Sequence, residues 1–167
     1  MVRYTDAEEL KWHNSLPSKR IAASVILRNK NGEILVVKPN YRDYWNLPGG
    51  VVEPNESPTE GVIRESKEEV GIVLQNSLLK LIAIDYIHER PDGRKDSIYF
   101  EFDGGTLSDN QIANIKLQES ELDEFRFISE GDTGQFLSKW KSKRIQLALN
   151  ANQPAILLED GISTNSV

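Results

Sequence analysis

The segment from Gly50 to Ile72, GVVEPNESPTEGVIRESKEEVGI, constrains the fold and chemistry of this 167-residue chain more than any other. Ser57 is a typical helix N-cap, Pro58 suits the first helical position, and Glu60 completes a capping box with Ser57. Gly71 stands where helices commonly end in a left-handed conformation. The segment therefore predicts one short helix with both ends marked by local sequence.

Three acidic residues share one side of this predicted helix: Glu65, Glu68 and Glu69. At helical spacing they fall within an arc of about 100°. Next to them, Val62, Ser66 and Val70 form a stripe suited to packing inward. Because like charges this close repel one another, an opposite charge is expected nearby. Mg²⁺ or Mn²⁺ fits, since hard cations take carboxylate and carbonyl oxygens. The alternative is a solvated acidic surface on an unrelated α+β domain.

The rest of the chain alternates apolar strand patterns with turns and a few helical patterns. Strands are predicted at 20–27, 33–37, 46–48, 78–87, 97–102, 125–128 and 155–158, the last as an edge strand. Helices are predicted at 5–15 and 133–150, and 108–115 is ambiguous between helix and loop. Asn31-Gly32 predicts a hairpin turn, Arg90 to Gly93 another turn, and Gly104-Gly105 the end of a strand. Hairpins mixed with helices indicate an α+β fold, a sheet flanked by helices.

The acidic segment resembles the Nudix box, the signature of Nudix hydrolases. The match reads Gly50-x5-Glu56-x7-Arg64-Glu65-Ser66-x-Glu68-Glu69-x-Gly71-Ile72, and Trp45-Asn46-Leu47-Pro48-Gly49-Gly50 resembles the family's lead-in. Ser66 replaces the usual aliphatic residue, and Gly61 replaces the usual alanine. Since glycine costs about 1 kcal/mol relative to alanine inside a helix, Gly61 predicts a close approach of the backbone to a neighbour.

The resemblance implies an α/β/α sandwich with a mixed, curved sheet between helices. We expect a single domain over 1–167, with a helical extension at 1–18, a C-terminal helix at 133–150 and a frayed tail at 163–167. The implied activity is that of a pyrophosphohydrolase: metal-dependent hydrolysis of a diphosphate linkage in a nucleoside triphosphate, ADP-ribose or a nucleotide sugar. The alternative is a non-catalytic nucleotide-binding sensor on the same scaffold, although such modules typically lose box carboxylates and none is missing here.

The resemblance also implies roles for individual residues. The metal ligands would be the backbone carbonyl of Gly50 and the carboxylates of Glu65, Glu68 and Glu69. Arg64 and Glu56 are expected to pair, which would orient Glu65; the alternative is a surface ion pair of little energetic weight. The general base is left open among Glu124, Glu121, Glu119 and a box glutamate, with Glu124 favoured.

Substrate contacts are predicted just before the box. The aromatic faces of Tyr41, Tyr44 and Trp45 suit a nucleobase, and Lys38 and Arg42 could meet phosphates. Trp45 could instead be a core residue. His13 and His88 are read as structural or surface residues. A basic group further along is read as the solvent-exposed face of an amphipathic helix: Lys139, Lys141, Lys143 and Arg144.

Charge and composition exclude several classes of protein. The formal net charge of −6 argues against a nucleic-acid-binding surface. It does not argue against a phosphorylated substrate, because bound divalent cations reverse the local field. The absence of cysteine excludes disulfides and thiolate-held zinc. Since no signal peptide and no apolar run of about 20 residues is visible, we expect a cytoplasmic protein with no membrane partner. Many members of the family dimerise, so a homodimer is among the expectations.

Overall fold

The computed structural model describes residues 5–152 and 154–164. Its strands are β1 (Arg20–Arg28), β2 (Ile34–Pro39), β3 (Gly49–Val51), β4 (Lys80–Ile87), β5 (Ser97–Thr106), β6 (Leu122–Ile128), β7 (Ile156–Glu159) and β8 (Ile162–Ser163). Its helices are α1 (Asp6–Ser15), α2 (Pro58–Val70), α3 (Asp109–Ala113), α4 (Thr133–Phe136) and α5 (Lys139–Leu149), with short 3₁₀ turns at Asn76–Leu78 and Glu130–Asp132.

Within the described residues the strands form one mixed sheet in the order β6-β2-β1-β5-β4-β7-β8, and β3 pairs with β1 outside this path. β1 and β5 run parallel, as do β4 and β7, whereas the other neighbours are antiparallel. The α+β class and the mixed sheet between helices are thus confirmed.

Alternation along the central strands divides the core between the two faces of the sheet. On β2, Leu35 and Val37 pack in the cluster that contains Val62 and Val70 of α2. The intervening residues, Ile34 and Val36, pack with Ile145 of α5 in a second cluster on the other face. The period of two in strand side chains therefore places α2 and α5 on opposite faces.

Helix α2 forms where the sequence predicts it. Ser57 and Glu60 make the reciprocal capping box, and Gly71 ends the helix at φ 73° with its N–H donating to Lys67. The prediction for Gly61 is also confirmed, because a Cβ there would lie 3.1 Å from Glu56 Oε2 and 3.2 Å from Val52. Ser66 is fully buried, and its hydroxyl has no hydrogen-bond partner in the described part of the chain.

Several predicted element bounds are wrong. The helix expected at 133–150 is two helices, because Leu137 adopts an extended conformation that breaks the chain direction between α4 and α5. β5 continues through Gly104-Gly105 to Thr106, since Gly104 allows close packing against Leu27 and Val25. β7 is not the edge strand, because β8 pairs beyond it and includes Ser163, which was assigned to the tail. Residues 165–167 of that tail and residues 1–4 of the extension lie outside the described residues.

The basic group on the last helix is only partly a solvent-exposed face. Lys139 and Lys143 are exposed, as expected, but Arg144 is buried against the sheet and Lys141 is partly buried. The reason is that two carboxylates, Asp85 on β4 and Glu101 on β5, lie buried beneath α5 and pair with Arg144. The segment 108–115 contains the short helix α3.

Helix α1 forms as expected, but none of its residues is buried, and Leu10 and Trp12 are 62% and 58% exposed. The expected amphipathic packing is therefore wrong, because neither apolar side chain is buried against the described part of the fold. Across the described residues, none of the helices combines the length and the apolar character that a membrane crossing requires.

Candidate active site

The centre of the site is the bend at Gly49 and Gly50, where β3 pairs with β1. Gly49 has φ 140°, and a Cβ at this position would lie 2.2 Å from the carbonyl oxygen of Ala23. A Cβ on Gly50 would lie 2.4 Å from Glu65 Oε1. The two glycines therefore allow the bend to lie against β1 on one side and against the Glu65 carboxylate on the other.

Glu69 is the buried carboxylate of the site. Its Oε2 accepts a hydrogen bond of 2.7 Å from the N–H of Gly49, and the residue is only 9% exposed. Burial raises the pKa of Glu69 to about 8, and the nearby charges of Glu65 and Glu121 add to the increase. Burial also raises the pKa of Glu65. Both carboxylates thus lie where a positive charge would be strongly favoured.

Arg64 is the cation that organises this helix face. Its Nε and Nη2 donate to the two carboxylate oxygens of Glu56 at 2.9 and 3.0 Å, and Nη2 also donates to the carbonyl of Val51. Nη1 donates to Glu65 Oε1 at 2.9 Å and to Glu68 Oε2 at 3.0 Å. The predicted Arg64–Glu56 pair is confirmed, and it joins the loop before α2 to the helix.

Of the three predicted carboxylate ligands, two lie at the glycine bend and one does not. Glu65 and Glu69 lie against the Gly49–Gly50 bend, whereas the Glu68 side chain is 51% exposed. Among residues 5–152 and 154–164, no three acidic or histidine side chains are close enough together to form a metal cluster. In this arrangement Arg64 pairs with Glu65 and Glu68. The oxygen donors nevertheless fit Mg²⁺ or Mn²⁺, because two desolvated carboxylates and a backbone bend converge at one place.

The three candidates for the general base outside the box lie in different surroundings. Glu124 pairs with Arg126 at 2.6 Å on β6. Glu121, just before β6, accepts a hydrogen bond from Gln118, and its charge raises the pKa of both Glu65 and Glu69. Glu119 is exposed. Glu121 and Glu124 are exposed as well, but Glu121 lies near enough to the box for its charge to add to the pKa increase that burial causes in Glu65 and Glu69.

The predicted substrate residues separate into two groups. Tyr41 and Arg42 line a cavity of about 160 Å³ that also includes Gly49 and Gly50. Lys38 instead donates to the backbone carbonyl of Arg42 and so holds the loop. Trp45 is buried in the core cluster of α5, with Phe136 against its edge and Arg126 over its ring. The core alternative for Trp45 is thus favoured.

Sequence reasoning missed a buried ionic group beside this cavity. Arg144 donates to Asp85 Oδ2 and to Glu101 Oε2, each at 3.1 Å, and Ser24 donates to the other oxygen of Glu101 at 3.0 Å. The available signal was an acidic residue between apolar neighbours in each of two strands, Asp85 in β4 and Glu101 in β5, since such residues are seldom buried without a partner. Tyr99, which lies 4.9 Å from the Arg144 guanidinium, was also missed.

A mixed sheet between two helices, with a carboxylate-bearing helix against a glycine bend, defines a class of proteins suited to binding cations and phosphates. The sequence model of a protein family, the NUDIX domain, matches residues 18–148 of this chain. The chain therefore belongs to the NUDIX family.

Two curated proteins illustrate the relationship. An 8-oxo-dGTP diphosphatase from Proteus vulgaris is 39% identical over 70 residues, which are 40% of this chain and 62% of the relative. An RNA pyrophosphohydrolase from Hydrogenovibrio crunogenus is 46% identical over 48 residues, 29% of each chain. The chain thus covers less than two thirds of either relative's length.

Solved structures extend the likeness over most of the chain. The MutT protein from Methanosarcina mazei Go1 superposes with a TM-score of 0.67 at 28% identity, covering 83% of this chain and 99% of that one. A UDP-X diphosphatase has the same TM-score of 0.67 at 20% identity, covering 92% of this chain and 76% of that one. The second match shows the fold alone.

Proposed function

We propose that this protein hydrolyses a diphosphate linkage in a nucleoside diphosphate derivative with the help of Mg²⁺ or Mn²⁺. The single observation that carries the proposal is the convergence of Glu65 and Glu69 on the Gly49–Gly50 bend, beside a cavity. Membership of the NUDIX family supports it. The names of the two relatives, a diphosphatase and a pyrophosphohydrolase, agree with this reaction type.

The residues that would hold the cation are Glu65, Glu69, the carbonyl of Gly50 and, after leaving Arg64, Glu68. When bound, the cation supplies positive charge for the phosphates and acidifies a coordinated water. Desolvated glutamates at this position are consistent with that role, because burial raises the pKa of both Glu65 and Glu69 and so disfavours their charge unless a cation compensates.

The chain's own residues contribute positioning. The bidentate Arg64–Glu56 pair fixes the loop and presents Glu65 to the bend. The N–H of Gly49 orients Glu69. We assign Glu121 the role of accepting the proton of the attacking water, since its charge already acts on Glu65 and Glu69. Glu124, paired with Arg126, stays the alternative base.

The test is a panel of nucleotide derivatives assayed for formation of the nucleoside monophosphate product, with Mg²⁺, with Mn²⁺ and with a chelator. Glu69→Gln is expected to lower the turnover of the best substrate by about a hundredfold or more, because it removes a charge that is buried in the site. Glu159→Gln, which alters an exposed glutamate on β7 outside the cavity lining, is the matched control and should keep the wild-type rate.

Three results would contradict the proposal. Turnover unaffected by Glu69→Gln, or by removal of divalent cations, would show that the box does not act as assigned. Tight nucleotide binding with no cleavage of any nucleotide would favour the sensor alternative. In the same assay, Glu121→Gln should lower the rate and flatten its pH profile more than Glu124→Gln does; the reverse would return the base to Glu124.

A further inference from the structure

A second, larger cavity adjoins the one at the glycine bend. It has a volume of about 320 Å³, at the lower end of the usual range for small-molecule sites. The two cavities share the side chains of Arg42, Tyr99, Lys141 and Arg144 as a common wall. A ligand that starts at Gly50 could therefore continue past Arg42 into the larger cavity.

The larger cavity is strongly basic, although the chain as a whole carries a net charge of −6. Seven of its lining residues are arginine or lysine, and none is aspartate or glutamate. Three of the seven have carboxylate partners: Arg94 with Asp92, Lys95 with Glu89, and Arg144 with its two buried acids. These three are neutralised within the protein.

The other four basic side chains are not neutralised by an ion pair: Arg20, Arg42, Arg90 and Lys141. Within the described ranges 5–152 and 154–164, no carboxylate lies within ion-pair distance of any of them. Among the described residues, the Arg20 side chain donates to the hydroxyl of Tyr99 and the Arg42 side chain to that of Tyr44. Lys141 donates to Asn46 Oδ1. Glu69 and Glu101 offset part of the charge of Lys141, and Asp92 interacts with Arg90, but neither cation has a carboxylate at contact distance in the described part of the chain. Cations gathered in this way repel one another, which favours an anionic ligand as a direct partner.

Aromatic rings hold these guanidinium groups in place around the cavity. Arg90 lies 5.4 Å from the ring centre of Trp140, Arg20 lies 5.9 Å from that of Tyr99, and Arg42 lies 5.5 Å from that of Tyr44. Such stacking limits side-chain freedom without neutralising charge. The cations are thus presented to the cavity with their donors largely free.

The start of α5 adds to the same wall. Ser138, its N-cap, lines the cavity, makes no side-chain capping bond and is followed by a first turn without an acidic residue. The free N–H groups of a helix's first turn favour anions. Burial also lowers the pKa of Lys141 to about 8, helped by the charge of Arg144, so an anion here would relieve an existing electrostatic cost.

We propose that this basic cavity binds phosphate groups that the substrate carries beyond the diphosphate being cleaved. The inference rests on the proposed function and sharpens it: the preferred substrate is a nucleoside diphosphate joined to a further phosphorylated group, rather than to a neutral sugar. The cavity accommodates the additional phosphates while the scissile linkage lies at the glycine bend.

The first test compares diadenosine tetraphosphate with diadenosine diphosphate, which have the same nucleosides and differ only in the number of phosphates. We expect kcat/KM to be about tenfold higher or more for the tetraphosphate. The reason is that losing one hydrogen bond between charged groups typically weakens binding by about that factor. The double variant Arg20→Ala/Arg90→Ala should remove this preference, because it should lower kcat/KM for the tetraphosphate by about tenfold more than for the diphosphate. Lys143→Ala, an exposed lysine of α5 outside the cavity, should change neither rate. Equal kcat/KM values for the two wild-type substrates would overturn the inference.

The second test does not require turnover. Inorganic tripolyphosphate, added with a chelator to the Glu69→Gln protein, should bind by calorimetry and raise Tm, and Arg20→Ala/Arg90→Ala should weaken this binding by about tenfold or more. If tripolyphosphate binds but no nucleotide is cleaved by the wild-type protein, the proposed function is wrong and the anion site stands. If nucleotides are cleaved but tripolyphosphate does not bind, the anion site is wrong.

A nucleic acid could also supply phosphates, and the same variants decide this outcome. A single-stranded RNA without a 5′ triphosphate should bind no more tightly to the wild-type protein than to Arg20→Ala/Arg90→Ala. Tighter binding of the RNA than of tripolyphosphate by the wild-type protein would assign the cavity to a nucleic-acid backbone and overturn the small-molecule inference.

Discussion

The buried hydroxyl of Ser66 gives a quantitative test of how α2 packs. Its side chain is fully buried, and no hydrogen-bond partner lies within the described chain. Leaving such a group unsatisfied costs about 1–3 kcal/mol, and serine is a weaker helix former than alanine by a few tenths of a kcal/mol. Against this, Ser66→Ala leaves a gap of only one oxygen atom. We expect the free energy of unfolding to rise by about 1–2 kcal/mol.

For a chain of 167 residues, this gain corresponds to an increase in Tm of about 2–8 °C. Denaturant unfolding and differential scanning calorimetry would measure it. The matched control is Ser57→Ala in the same helix, which removes the N-cap bond to Glu60 and should cost about 1 kcal/mol. Serine-to-alanine substitutions would then have opposite signs at two positions of one helix. A loss of stability in Ser66→Ala would refute the reasoning and indicate that the hydroxyl is satisfied in solution.

Two further predictions concern charged groups. Glu56→Gln weakens the bidentate pair with Arg64 and should raise the Mg²⁺ concentration for half-maximal activity by about tenfold; an unchanged metal titration of the rate would contradict it. Lys141 has its pKa lowered to about 8 chiefly by burial, so the folded state binds this proton less well than the unfolded state between about pH 8 and pH 10.5. Wild-type stability measured relative to Lys141→Met should therefore increase over that window, by at most about 1.4 kcal/mol per pH unit, and a flat difference would refute the assignment.

The elements that sequence predicts well are those fixed by nearby residues. Both ends of α2 follow from Ser57, Glu60 and Gly71, because caps act within one helical turn. The break between α4 and α5 was missed, because apolar residues keep a helical period across it and neither proline nor glycine marks it. The serine before α5 was the local signal, since serine is a typical N-cap.

The candidate site also has one part that nearby residues predict and one part that they do not. The acidic half lies on one helix and one adjacent bend, so spacing alone predicts it. The basic half joins side chains from β1, β5, α5 and two loops. Those residues meet only because of strand register, for example the parallel pairing of Arg20 with Ser97 and of Ala22 with Tyr99. No local pattern encodes that register. Arg42 was predicted to meet phosphates, but Lys141 was read as ordinary surface charge, and Arg20 and Arg90 were left unassigned.

The ionic group of Arg144, Asp85 and Glu101 has a consequence for how the ligand specificity of this protein could change. Arg144 belongs both to the wall shared by the two cavities and to the interior, where removing one partner of a buried charge group typically costs about 3–5 kcal/mol. New specificity therefore cannot readily arise at that residue without loss of the fold. Variation among related proteins should instead concentrate in the exposed loops that contribute Arg42 and Arg90, where replacement leaves the scaffold intact.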